Sequence, residues 1–344
     1  MEKVLIIHHN DLDGYVSDVI ASTYYQNHNY RVISRVAAYS NPHLLDICME
    51  DIVQFEVNKV VIVDFSFKPD DFRKLISAIG IENVIWIDHH AGIIRRYRED
   101  DSVIDQTLIK GLRVSVNFSA AELTYLYYFD DTTQPSFGED KIKYKNGIII
   151  DANKISDRNY VLERLPKALK LSGDWDTWRH KETNDPEAIY LNNWFTIHEQ
   201  DLATDDNIQA VFFDLAEEYT DELNAMLNEG EIIDSFIYME NKAILKHNAF
   251  DAVIMGFEDL HVKAVNADRF TSMIFDDVFN KYEVGVVYVF NGHNNIYSFY
   301  RLGENPEKPI SCFKIAEAFG GGGHASAAGC YVDPKVEVIR VKKS

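Results

Sequence analysis

The residues with the most chemistry in this chain come as a short run near its start, His9-Asn10-Asp11-Leu12-Asp13-Gly14. Three potential ligands alternate with non-ligands just after an apolar run, so an extended backbone would point His9, Asp11 and Asp13 the same way. One face would then offer an imidazole and two carboxylates. Mixed nitrogen and oxygen donors suit manganese or iron-type divalent ions, and the lack of a nearby Cys argues against a structural zinc site. The competing reading is helix capping, which Asp does readily, and for Asp13 alone the two readings stand level. Gly14 would let the chain turn sharply into its helix.

Two further positions add to this run. Asp64 follows the apolar stretch VVIV, where an unpaired carboxylate is costly to desolvate unless it meets a cation, although a lone Asp at a strand end is often a cap or turn residue. Asp88-His89-His90 follows VIWI and can supply a ligand, an orienting carboxylate and a phosphate-facing proton donor. Adjacent residues cannot all point inward, so these three are expected to take different roles.

The elements that must position these groups read as short buried strands, VLII at 4–7, KVVIVDF at 59–65 and NVIWID at 83–88, alternating with helical segments from Gly14 and Pro69. This is an α/β pattern, and the polar residues fall where strands end, the place where open α/β sheets bind ligands. The segment 130–147 reads as a surface excursion. From Ile197 to about Glu240 the chain is acidic, with Val211, Phe212, Leu215, Tyr219 and Leu223 near helical spacing, and reads as a linker helix. Beyond it lies a second α/β unit: AILKHNAFDAVIMGF, a helix over ADRFTSMIFDDVFNKY, a strand pair EVGVVYVFNG and NIYSFYRLG, and a helix at Phe313–Phe319. That helix feeds GGGGHASAAG, whose small residues let backbone amides close around an anion, a flexible turn being the plainer reading.

Taken in order, HNDLDG, VDFS, IDHH, DTW and GGGGHASAAG resemble the motifs of the DHH/DHHA1 phosphoesterase family, from Ile6 to Cys330 apart from stretches near 100–145 and in the acidic segment. HHNDLDG, GDWDTWRH and LNNWF resemble elements of that family's nanoRNase members of the NrnB type. The resemblance implies a two-domain DHH/DHHA1 architecture: a catalytic, metal-binding parallel-sheet domain over 1–196, a helical linker over 197–240, and a smaller substrate-binding α/β domain over 241–344. It further implies a centre of two Mn2+ ions, Mg2+ being an alternative, with His9 and Asp11 on one ion, Asp13, His89 and Asp176 on the other, and Asp64 bridging. Asp176 is preferred to Asp174 because the family's fourth motif is an Asp-Thr pair, here Asp176-Thr177, while spacing alone leaves Asp174 in contention.

Two such cations would lower the pKa of a shared water and stabilise charge on the phosphoryl oxygens. His90 would bind a phosphate oxygen or protonate the leaving group, and Asp88 would orient a neighbouring His. In the second domain Arg301 and His324, with Gly321, Gly322 and Gly323, would grip the substrate phosphate. The family's Ser-x-Arg strand ending appears here as Ser298-Phe299-Tyr300-Arg301, a departure that leaves the register of Arg301 open. Asn192 would stand near the scissile bond. Trp178, Trp194 and Phe195 are placed to stack on a base or, more ordinarily, to fill the core.

Composition narrows the substrate. At 344 residues, 46% hydrophobic and 26% charged, the chain is sized for two globular domains. Asp and Glu outnumber Lys and Arg by 55 to 34, a field that repels long polyanions and favours short single-stranded oligonucleotides or small nucleotides over duplex nucleic acid. The three cysteines form no C-x-x-C pair, and neither a secretion signal nor a membrane span is expected, which fits a cytoplasmic enzyme, with a homodimer left open. The expected activity is hydrolysis of nanoRNA to 5′-nucleoside monophosphates. Linear dinucleotides or nucleoside 3′,5′-bisphosphate are the neighbouring substrate class, and a non-catalytic nucleotide sensor is the reading of another kind.

Overall fold

The structure, a computed structural model, describes residues 1–344 other than 40, 100–107, 134–139, 216–219, 269–270, 304–309, 324 and 343–344. The chain divides into two compact units, Met1–Ile233 and Asp234–Ser344.

In the first unit the order is β1 (Lys3–His9), α1 (Leu12–Asn27), β2 (Arg31–Ala37), α2 (Leu44–Gln54), β3 (Lys59–Val63), α3 (Pro69–Ile79), β4 (Val84–Ile87) and α4 (Ala91–Glu99). These strands form one sheet in the order β2-β1-β3-β4, every pair parallel. The inner strands read as unbroken apolar runs because both faces are covered. Val4, Ile6, Val61, Val63, Ile85 and Ile87 face one core, built with α1 and later helices. Leu5, Ile7, Val60, Ile62, Val84 and Trp86 face the other, against α2 and α3. β2 lies at the edge and is half exposed, so RVISRVA lacks the apolar signal of its neighbours.

The unit continues through α5 (Ala120–Phe129), β5 (Thr132–Thr133), β6 (Lys141–Tyr144), β7 (Ile149–Asp151), α6 (Ile155–Leu162), α7 (Lys167–Asp176), α8 (His180–Thr183), α9 (Glu187–Thr204) and α10 (Asp206–Ala210). β5 and β6, within the stretch read as a surface excursion, and β7 just after it form a small antiparallel sheet whose Ile142, Tyr144 and Ile150 are buried in the first core. The acidic stretch also does more than link. Val211, Phe212, Leu223, Met226 and Leu227 are core residues of this unit, the last three on α11 (Asp221–Asn248), whereas Leu215 is exposed. Tyr219 lies outside the described residues.

The second unit holds β8 (Ala249–Ile254), β9 (Phe257–Asn266), β10 (Val284–Phe290), β11 (Asn295–Arg301), α12 (Cys312–Ala318), β12 (Gly322–Gly323), β13 (Ala327–Val332) and β14 (Ile339–Val341). Its sheet runs β12-β13-β11-β10-β9-β8-β14, with β9 and β10 parallel and the other pairs antiparallel. The helix expected over ADRFTSMIFDDVFNKY is a single 3-10 segment, Ser272–Val278. Among the described residues no helix is long and apolar enough to cross a membrane.

Gly14 shows how tightly β1 is joined to α1. A Cβ on it would lie 2.3 Å from the His9 carbonyl oxygen. Space, not a special backbone angle, is what glycine supplies here. In an exposed helix Gly→Ala gains about 1 kcal/mol, but a backbone clash of this depth costs about 1–3 kcal/mol or more. Gly14→Ala is therefore expected to lower stability in urea denaturation, and a variant at least as stable as wild type would contradict this packing.

Candidate metal centre

Parallel register sets the site. His8 pairs with Val63 and Val63 with Ile87, so the next residues along, His9, Asp64 and Asp88, stand in one row at the carboxyl ends of three adjacent strands. At Asp64 the backbone leaves the strand in a left-handed conformation, φ 53°, which costs a non-glycine residue on the order of 1 kcal/mol. Its amide is held by the Ile87 carbonyl at 3.0 Å.

The first run is not extended as its alternation suggested. The helix α1 already begins at Leu12, because Asp11 caps it: its Oδ1 accepts the Gly14 amide at 3.0 Å while its Oδ2 meets His9 Nδ1 at 2.7 Å. Asp13, in the first turn, accepts the amides of Ala120 at 2.7 Å and Ala121 at 3.0 Å, so it caps α5 rather than its own helix. Each carboxylate oxygen has two lone pairs, so capping and ligation are compatible at Asp11 and Asp13.

Three sets of side chains converge closely enough to hold a cation: His9, Asp11 and Asp64; Asp13, His89 and Asp176; and Asp64, His89 and His90, the ligand atoms of each set lying within 4.8 Å of one another. His89 Nε2 is 3.4 Å from Asp64 Oδ1, 3.3 Å from Asp176 Oδ2 and 3.9 Å from Asp13 Oδ2. Asp64 is thus shared between the His9 side and the His89 side, with His9 Nδ1 3.8 Å from its Oδ2. Asp64 is 1% exposed, and among the described residues neither of its carboxylate oxygens has a hydrogen-bond partner. Asp176 Oδ2 is likewise without one.

Electrostatics make that arrangement expensive on its own. Burial, and then the charges of Asp11, Asp13, Asp176 and Asp88, hold the Asp64 carboxyl well above the usual carboxylate range. Asp176 is pushed up to about 7 by burial, against the pull of His89 and with Asp13 and Asp11 adding to the rise. Burial also raises Asp13 despite the pull of His89. Burial would raise Asp11 and Asp88 too, but His9 beside the one and His90 beside the other hold both low. Uncompensated buried charge of this density costs several kcal/mol unless a cation neutralises it. Hard oxygen donors with imidazoles, among them the buried oxygens of Asp64 and Asp176 Oδ2 that take no hydrogen bond from the described residues, fit divalent ions of the manganese or magnesium kind.

Asp88 does not join the ligand sets. Its Oδ1 accepts the amides of His89 at 2.7 Å and His90 at 3.1 Å and faces His90 Nδ1 at 2.7 Å, and Ser66 donates to its other oxygen. Burial would lower the His90 pKa, but Asp88 outweighs it and lifts the imidazole to about 9. Asp174 also points elsewhere, its Oδ1 taking Arg179 Nε at 2.6 Å. Trp194 and Phe195 are core residues, whereas Trp178 is 37% exposed. Asn192 is half-buried on α9.

In the second unit Arg301 is exposed at the end of β11, its amide bound to Ser326 O at 2.8 Å. Gly322 and Gly323 are strand-paired with Gly329 and Ala328, and a Cβ on Gly321 would lie 2.1 Å from Gly329 O, so these glycines serve close strand packing as well as any cradle. His324 lies outside the described residues.

Sequence reasoning missed the buried network behind the cluster. Arg179, 3% exposed, bonds Asp174, the Asn117 carbonyl at 2.8 Å and Glu122, whose other contact is the Ser119 amide. Nothing in residue type marks such a triad, since Glu122 lies on α5 and Asp174 on α7, with 57 positions between Glu122 and Arg179. The S-x-x-E pattern of Ser119 and Glu122 was the one available signal, a capping box.

Fold and site together define a two-unit α/β protein with a carboxylate–imidazole cluster, able to hold divalent cations, at the carboxyl edge of a parallel sheet. Among known proteins, no family model and no curated relative matches the sequence. Similar solved structures include an uncharacterized protein from Helicobacter pylori G27 (12% identity, 98% of this chain and 95% of that one, TM-score 0.34). A pGpG-specific phosphodiesterase, PggH, from Vibrio cholerae is similar at 12% identity over 97% of this chain and 94% of that one, TM-score 0.42. RecJ from Thermus thermophilus, solved in complex with Mn2+, is similar at 12% identity and TM-score 0.47, over 96% of this chain and 50% of RecJ.

Asp64→Asn tests the centre without activity. Asn tolerates the left-handed backbone, so the variant removes the charge and keeps the turn. Wild-type protein is expected to gain about 2.7 kcal/mol of stability at Mn2+ concentrations about 100 times Kd. The variant should lose that gain while its stability in EDTA equals or exceeds that of wild type. An undiminished Mn2+ shift in Asp64→Asn would contradict the arrangement.

Proposed function

We propose that this chain is a metal-dependent phosphodiester hydrolase of the DHH/DHHA1 type that degrades short oligonucleotides to 5′-nucleoside monophosphates with a pair of Mn2+ ions. The observation that carries this reading is the buried Asp64 carboxylate, without a hydrogen-bond partner among the described residues, set between two further groups of ligand atoms. In this reading His9 and Asp11 hold one ion, Asp13, His89 and Asp176 the other, and Asp64 serves both. When bound, such ions supply Lewis-acid polarisation of the phosphoryl group and acidify the attacking water.

The chain's own residues do the remaining work. Asp11 and Asp13 are fixed by the helix N-termini they cap, which keeps the donor set in place before substrate arrives. Asp88 holds His90 by Nδ1 and favours its protonated form. His90 therefore acts as the donor to a phosphoryl oxygen or to the leaving group. Arg301, His324 and the amides of Gly321, Gly322 and Gly323 are assigned to the substrate phosphate, Arg301 for its fork of donors. The net charge of −21 favours substrates of few phosphates.

The test is product analysis on labelled RNA and DNA of two, five and twenty nucleotides and on nucleoside 3′,5′-bisphosphate, with Mn2+, Mg2+ or EDTA. Rapid Mn2+-dependent release of nucleoside monophosphates from the shortest oligonucleotides, abolished by EDTA, is expected. His90→Gln should lower kcat by about 10²–10⁴-fold. Preference for the 20-mer would contradict the short-substrate assignment, and binding without turnover of any phosphoester would make the protein a sensor.

A further inference from the structure

Tyr39 stands just past the carboxyl end of β2, beyond the register pair His9–Ala37. Its ring centre is 5.5 Å from that of His9 and 6.4 Å from that of His90. Phe65, the residue after Asp64, stacks on it at 4.6 Å with 29° between the planes, and Phe67 packs edge-on against Phe65 at 5.2 Å. Phe65 and Phe67 are buried, 3% and 6% exposed, while Tyr39 is 52% exposed. An aromatic stack therefore rises from the core beside the cluster and ends in a half-exposed ring. Trp178, 37% exposed and two positions beyond Asp176, already carries the Lys181 ammonium 4.0 Å from its ring centre.

We propose that Tyr39 determines specificity as the stacking platform for the nucleobase next to the scissile phosphate, selecting nucleotide phosphodiesters over phosphodiesters without a base. This rests on the hydrolase reading above. Every base has a π-face, so such a platform suits a substrate chosen by length and not by sequence.

Wild type, Tyr39→Ala, Tyr39→Phe and Tyr39→Trp are compared with Mn2+ on a dinucleotide and on the same dinucleotide with its bases replaced by hydrogen. Wild type should favour the base-bearing substrate in kcat/KM. Tyr39→Ala should lose about 5- to 150-fold of that preference, mainly through KM, while Phe and Trp keep it. Damage to the cluster would slow both substrates alike and leave the ratio unchanged, and an unchanged ratio in Tyr39→Ala overturns the proposal while hydrolysis stands. Loss in Tyr39→Phe as large as in Tyr39→Ala also overturns it, by assigning the effect to the hydroxyl. A wild type inert toward both substrates removes the hydrolase reading and this inference together.

Discussion

The mutual repulsion of buried carboxylates governs this structure. Asp64 sits at the end of a central strand, in a left-handed turn, with Asp11, Asp13, Asp88 and Asp176 around it and, among the described residues, no donor on either oxygen. Local capping settles part of that charge: Asp11 and Asp13 take helix amides, and Asp88 takes two amides, Ser66 and His90. Asp64 and Asp176 Oδ2 are left for something the described residues do not provide.

The surrounding architecture resists the collapse that repulsion would otherwise cause. Three parallel strands buried on both faces fix His9, Asp64 and Asp88 in a row. Asp13 is fastened to α5, Glu122 of α5 to Arg179, and Arg179 to Asp174 on α7, the helix that ends at Asp176. Asp13 and Asp176, members of one ligand set, are thereby joined through α5, α7 and the polar contacts between them. Breaking such a buried pair by removing one partner costs about 3–5 kcal/mol, which makes this network a support for the site as much as for the fold.

Much of this was legible in the sequence because its signals are local. Apolar runs ending in Asp or His marked β1, β3 and β4, and the fold brings together the six residues His9, Asp11, Asp13, Asp64, His89 and Asp176. What was not legible depends on contacts between distant segments. The edge strand β2 lacks an apolar run because half of it faces water, and Tyr39 beyond it went unremarked. That Asp13 caps α5, 107 positions away at Ala120, leaves no trace in the spacing of the first run. The acidic residues near α11 hid the fact that Leu223, Met226 and Leu227 belong to the first core.

The most direct measurement is anomalous diffraction from crystals grown with Mn2+, collected at the manganese edge. Two peaks are expected, one on each side of the Asp64 carboxylate, with Asp174 still bonded to Arg179. Density showing Asp64 hydrogen-bonded to protein donors, with no peak beside it, would contradict the account at its base.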